Sequence, residues 1–188
     1  MAATKQRNMV ALDTLFEEAK TQWTNALNEA RHPFRYFVLG TSIPDHYPQI
    51  RTVVLRDFDS KNLVFTIYTD NRTQKIKDLT RQPKAQLLFY HPEEQLQLRV
   101  SCKLLEMQSS NQIFHSLPQK SQRDYTVNPA PGNLIDSPES ISYGKEALHF
   151  RKLRFQAQEM EYLKIQKPMH IRALFFLSQD WKGQFIVP

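Results

Sequence analysis

Basic and hydroxyl side chains in one stretch of this chain are spaced to hold an anion. Arg51 opens the apolar run Arg51-Thr52-Val53-Val54-Leu55-Arg56, and Arg56 closes it. A second apolar run, Leu63-Val64-Phe65-Thr66-Ile67-Tyr68-Thr69, leads through Asp70-Asn71-Arg72 into Thr73-Gln74-Lys75. Asn71 is a good helix N-cap, and Gln74 three residues on completes a capping-box pattern. Thr73 and Lys75 then fall in a helix's first turn. There free backbone N–H groups and the helix dipole favour an anion, and Lys75 adds a full positive charge. Arg51, on a neighbouring strand, would complete a phosphate clamp. The same residues also fit a plain hairpin leading into a capped surface helix with solvated basic side chains.

Such a clamp needs a scaffold to position it. Residues 1–9 are polar and expected to fray. After Asp13 comes a helix: Leu12, Leu15, Phe16, Ala19, Trp23, Ala26, Leu27 and Ala30 recur at helical spacing, and Pro33 ends the run. Residues 35–41 read as a buried strand. Residues 51–56 and 63–69 are two more, joined by a turn over 57–62, and the helix that follows runs to about residue 81. Residues 84–91 alternate. So do residues 95–104, with Leu96, Leu98, Val100, Cys102 and Leu104 on one face and Gln95, Gln97, Arg99, Ser101 and Lys103 on the other. A short helix is expected over 109–117. Residues 119–142 form a long loop, of a length that in compact domains is usually functional or partner-bound. Residues 143–158 read as a basic, loosely amphipathic helix carrying Ala147, Leu148, Phe150, Leu153 and Phe155. Strands follow over 160–165, 171–177 and 184–187. The pattern implies a mainly β, α+β fold: a closed or nearly closed antiparallel barrel of six or seven strands with flanking helices.

The chain has 188 residues, enough for one well-buried domain spanning 1–188 and too few for two comfortable ones. A formal charge of +6 permits nucleic acid, anionic lipid or phosphorylated ligands as partners and selects none of them. The single cysteine, Cys102, excludes an intrachain disulfide and a multi-thiolate metal site. The six histidines show no metal-binding spacing, and no GxGxxG, GxxxxGK[ST] or GxSxG motif occurs. No metal is therefore expected. No apolar stretch reaches the length of a membrane span and no signal-peptide core is present, so the expected location is cytoplasmic.

The stretch from Arg51 to Lys103 resembles the flavin-binding segment of the pyridoxamine 5′-phosphate oxidase-like FMN-binding split-barrel family. That family carries Arg-x-Val-x-Leu-Lys/Arg on one strand, Tyr-Thr on the next, Ser/Thr-x-Lys at a helix start, and a Gln on a later strand. Here these are Arg51, Val53, Leu55 and Arg56; Tyr68 and Thr69; Thr73 and Lys75; and Gln97. The resemblance implies FMN held between the subunits of a homodimer. Its phosphate would lie on Arg51, Thr73 and Lys75. Its ring would lie along Thr52, Val53, Val54 and Leu55, near Tyr68 and Thr69, with Gln97 hydrogen-bonding the ring through an amide that both donates and accepts. Arg172 matches a flavin-contacting arginine in the closing strand pair. Two positions depart from the family: its second phosphate-side residue, an Arg, is Gln74 here, and its Trp is Leu163.

On the substrate side, the resemblance assigns Arg56, Ser121 and His170. The family's Tyr and two further Arg are replaced by Ile113, Leu117 and Pro168. Losing three such contacts, at about 1.5–3 kcal/mol each, disfavours pyridoxamine phosphate as substrate. The implied relationship is to the uncharacterised flavin-binding branch of the family, as an FMN-dependent oxidoreductase with an altered substrate site. Two other functions stay open: a flavin or haem carrier without turnover, and a basic β-barrel that grips nucleic acid with aromatic platforms. Against the last, Phe and Tyr fall in buried-looking runs and no RNP-type motif occurs.

Overall fold

The computed structural model describes residues 11–188; the segment expected to fray, 1–9, lies outside them. Helix α1 (Leu12–Asn28) starts from Ala11, which puts Asp13 in its first turn, the favourable end of the dipole for an acid. It buries Leu15, Ala19, Trp23 and Ala26. The helix stops before Pro33, which instead opens the 3₁₀ turn Pro33–Arg35. The chain then forms β1 (Tyr36–Thr41), β2 (Gln49–Val54), β3 (Asp57–Asp59) and β4 (Val64–Asp70). Helix α2 (Gln74–Arg81) leads to β5 (Lys84–His91) and β6 (Leu96–Gln108). Two short helices, α3 (Asn111–Ser116) and α4 (Gln119–Arg123), precede the ribbon β7 (Val127–Asn128) and β8 (Ser142–Tyr143). The chain closes with β9 (Phe150–Lys164), β10 (Ile171–Phe176) and β11 (Gly183–Phe185).

Nine of these strands form one antiparallel sheet in the order β11-β10-β9-β6-β5-β1-β2, with β4 joined to β9 and β3 to β4. The long β9 is used twice. Its end, residues 159–164, lies between β6 and β10, and its start, residues 150–156, lies between β6 and β4. That sharing splits the barrel. Helix α1 covers the core, where Trp23 meets Phe65 edge-on with ring centres 4.9 Å apart and packs on Phe58 and Phe89. Seven strands have six or more residues, as expected; β3 and β11 are three-residue additions. Among the described residues no helix is long and apolar enough to cross a membrane.

Two expected elements are corrected. Residues 143–158 are not a helix: β9 runs unbroken from Phe150 through the strand expected only from residue 160. Its buried positions mimic helical spacing because the strand changes its buried face and carries a bulge. Leu153, Phe155 and Ala157 enter the main core, whereas Phe150, on the opposite face, packs with Phe114 and Tyr125 in a second cluster. At Gln158 the register against β6 slips, so Met160 and Tyr162 return to the core three residues after Ala157.

The second correction concerns α2, whose N-cap is Thr73 rather than Asn71. Asp70 Oδ1 accepts from the Arg72 backbone N–H (2.8 Å), and the Asn71 N–H donates to the His149 carbonyl (2.8 Å). Both bonds hold residues 70–72 in a turn tied to a distant segment, so the helix begins at Gln74.

Candidate functional site

Strands β2 and β4 and the start of α2 meet around a cleft of about 260 Å³. Thr52, Val53, Val54, Arg56, Tyr68, Thr69, Asp70, Thr73 and Lys75 line it, together with Asp124, Tyr125 and Pro131 from the segment after α4. Eight of the residues expected to bind a cofactor are thus brought to one place.

The cationic end is built in layers. Lys75 Nζ donates to Thr69 Oγ1 (3.0 Å) and Thr73 Oγ1 (3.2 Å), and Thr73 Oγ1 donates in turn to the Asp70 carbonyl (2.8 Å). Behind them Arg51 Nη1 donates to Thr41 Oγ1 (2.6 Å), and Nη2 lies 3.6 Å from Asp78 Oδ2. The buried Asp78 carboxylate also accepts from Thr41 Oγ1 (2.8 Å) and Gln74 Nε2 (2.9 Å). The carboxylate therefore fixes Arg51 and spans α2 to β1. Lys75 has no carboxylate partner of its own among the described residues. Burial, and then the charge of Arg51, lower its pKa to about 8, against the weaker pull of the Asp70 carboxylate, which pairs with Arg72. Burial likewise lowers the Arg51 pKa, against the pull of Asp78. An ammonium held in this way, among hydroxyls and beside a guanidinium, is short of negative charge. A phosphate would supply it.

At the other end Arg56 Nη2 lies 3.5 Å from Tyr125 Oη, and its guanidinium sits 5.5 Å from the Tyr68 ring centre. Burial raises the pKa of both tyrosines, so both hydroxyls stay protonated through neutral pH.

The remaining expected residues lie elsewhere within the chain. Leu55 is fully buried in the core, so only its backbone could face a ligand. Gln74 is turned onto Asp78. Gln97 and Arg172 both pair with Leu163, from its two sides, and so form a row across β6, β9 and β10. Arg172 Nε donates to Glu161 Oε1 (3.2 Å), and the buried Glu161 also takes Arg99. Thr69 pairs with Arg151. Neither Gln97 nor Arg172 lines the cleft. Ser121 lies in α4 outside the cleft lining, and the exposed His170 accepts from the Gln166 N–H (3.1 Å) in the β9–β10 loop.

Sequence reading missed Asp78 and Thr41, and left undecided whether Tyr125 touches a ligand. Asp78 carried one signal: it lies four residues after Gln74, on the same face of α2. Thr41 and Tyr125 reach the site only through strand pairing and the fold of the α4 segment.

An antiparallel split barrel with a cationic cleft between two strands and a helix start defines the class of protein. A sequence model of the pyridoxamine 5′-phosphate oxidase FMN-binding domain matches residues 13–107, and the chain belongs to that family. Among curated relatives, the pyridoxine/pyridoxamine 5′-phosphate oxidase of Trichormus variabilis is 27% identical over 174 residues, 90% of this chain and 76% of that one. The enzyme of the same name from a Nostoc species is 28% identical over 151 residues, 78% of this chain and 65% of the relative. Among solved structures, a pyridoxamine 5′-phosphate oxidase-related FMN-binding protein from Nostoc punctiforme superposes with a TM-score of 0.75 at 21% identity, covering both chains fully. PhzG from Burkholderia lata, solved with tetrahydrophenazine-1-carboxylic acid, gives 0.68 at 16% identity, covering 100% of this chain and 98% of that one. These structures share the fold.

Proposed function

We propose that this chain is a cytoplasmic, homodimeric FMN-binding oxidoreductase whose substrate site differs from that of the pyridoxamine phosphate oxidases. The observation that carries the reading is the half-buried Lys75, held by Thr69 and Thr73 beside Arg51 with no carboxylate of its own. The donor set fits the phosphate of FMN: two cations, two hydroxyls and the start of α2 converge on one end of the cleft. Thr52 to Leu55 would support the ring edge, and Tyr68 and Arg56 would close its far side. FMN, when bound, supplies the redox chemistry, taking up an electron pair from a donor and passing it to an acceptor. The chain's own residues bind it, orient it and screen it from water.

Gln97 and Arg172 do not line this cleft in their own chain. In the proposed dimer they approach the cleft of the partner subunit, which makes binding and assembly interdependent. PhzG, of the same fold, was solved in complex with tetrahydrophenazine-1-carboxylic acid, a ligand that is not a vitamin B6 phosphate. For this chain Ile113, Leu117 and Pro168 support a substrate other than pyridoxamine phosphate.

The test is the absorption spectrum of the purified protein, with FMN titrated into the apo form of wild type and Arg51→Ala. Flavin bands and a micromolar or tighter Kd are expected, weakened at least about tenfold by the substitution, as loss of a charged hydrogen bond requires. Absence of flavin and of binding on titration would refute the reading. Turnover assays with pyridoxamine phosphate are expected to be negative.

A further inference from the structure

Asp70, the last residue of β4, lines the cofactor cleft, and its side chain is only 3% exposed. Both of its carboxylate oxygens are taken by Arg72. Nε donates to Oδ1 (3.0 Å) and Nη2 to Oδ2 (2.6 Å), and the Arg72 backbone N–H donates to Oδ1 as well (2.8 Å). Arg72 itself does not line the cleft. The carboxylate lies within electrostatic reach of Lys75: burial and Arg51 lower the Lys75 pKa, and Asp70 pulls it the other way. A buried carboxylate without a cation of its own in that place would satisfy the ammonium that a phosphate is to meet. Arg72 supplies that cation, in the paired geometry that a guanidinium offers and an ammonium does not.

The same guanidinium reaches the segment that walls the cleft. Arg72 Nη2 donates to the Val127 carbonyl (2.7 Å). Val127 stands between Tyr125 and Pro131, two of the cleft's lining residues, and pairs with Tyr143 in the β7–β8 ribbon. One residue earlier in the turn, the Asn71 N–H donates to the His149 carbonyl, where the chain returns from the ribbon toward β9. On its other side the turn holds the clamp: the Thr73 hydroxyl donates to the Asp70 main-chain carbonyl (2.8 Å) and accepts from Lys75 (3.2 Å). One short turn thus joins Lys75 and Thr73, through Asp70 and Arg72, to the wall.

We infer that Arg72 is a positioning residue of the cofactor cleft: it holds the Asp70 carboxylate off Lys75, which keeps the ammonium for a ligand's phosphate, and it seats the 124–131 wall on the clamp turn. The inference deepens the flavoprotein reading and rests on it for the phosphate; the seating of the wall stands without it.

Arg72→Ala and wild type are compared in two measurements. Ligand-free amide hydrogen exchange is expected to quicken about tenfold over residues 124–131 in the variant, while β5 and β6 keep their protection. FMN titration is expected to give a Kd about tenfold weaker. Adding Asp70→Asn to Arg72→Ala should recover most of the FMN affinity, because the competing charge is gone, and none of the wall's protection, because the Val127 carbonyl still lacks its donor. A general loss of packing would move both readouts together and recover neither. Unchanged exchange over the wall overturns the inference, and so does an FMN Kd that is unchanged in Arg72→Ala or is not relieved by Asp70→Asn. Arg72→Lys keeps the charge beside Asp70 and loses the paired N–H groups, so it takes the place of the alanine variant if that one does not fold. Faster exchange over the wall with little change in FMN affinity is then expected, and unchanged exchange overturns the inference. If wild type binds no FMN, the cofactor reading falls, while the exchange measurement still decides the seating of the wall.

Discussion

At the scale of single residues, Lys75 carries the clearest consequence. An unfolded chain keeps a lysine proton up to about 10.5, whereas the folded chain without ligand keeps this one only up to about 8, first through burial and then through Arg51. Between those values the unfolded state binds more protons, so stability rises with pH across that window, and below it the full cost of the charge is present. Lys75→Met removes the charge and keeps the stem. Without FMN it should therefore be more stable than wild type at neutral pH, with the gap closing between about pH 8 and 10.5. Thermal melts of both proteins across that range measure it, and a gap independent of pH would place its origin elsewhere. With saturating FMN the order should invert at neutral pH, because a phosphate favours the protonated amine. FMN affinity of wild type should fall as pH rises above the pKa of the bound lysine. The clamp's residue types were readable because Thr73 to Lys75 are contiguous and Arg51 opens an apolar, β-branched run. The carboxylate that fixes Arg51 was not, since the contacts of Asp78 with β1 and β2 depend on a tertiary packing that no local pattern encodes.

At the scale of elements, strands with a single buried face were legible and the strand with two was not. Strand β5, and β6 from Leu96 to Lys103, alternate cleanly because one side meets the core there, so period two appears directly in the sequence. In β9 the buried set switches from the cluster of Phe114, Tyr125 and Phe150 to the main core and then slips at Gln158, which produces gaps of three that imitate a helix. The two faces should separate experimentally. Phe155→Ala opens a cavity in the main core and should cost about 3–5 kcal/mol of global stability in urea unfolding. Phe150→Ala, which unseats α3, α4 and the ribbon, should instead raise amide hydrogen exchange over residues 111–149 while β5 and β6 keep their protection. Equal loss of protection in both regions after Phe150→Ala would mean that the second cluster is not a separate unit.

At the scale of the whole molecule, the row Gln97–Leu163–Arg172 lies outside the lining of the cleft around Lys75, and a two-fold dimer is an arrangement that can bring the row of one copy to the cleft of the other. Complementation between two defective subunits tests this directly. Arg51→Ala should lose tight FMN binding through its own cleft, and Arg172→Ala through the cleft of its partner. In a mixed dimer of the two variants, one cleft then combines both defects while the other combines Arg51 and Arg172 in their native forms. Random pairing makes half the dimers mixed, so about a quarter of all clefts should regain wild-type affinity when the variants are refolded together, although neither binds tightly alone. If instead each cleft were completed within its own chain, every cleft in the mixture would carry one defect and nothing would be regained. Fluorescence titration of the refolded mixture with FMN reads the fraction of tight sites. A value near zero would remove the shared site from the proposal, and with it the reason for coupling cofactor binding to assembly.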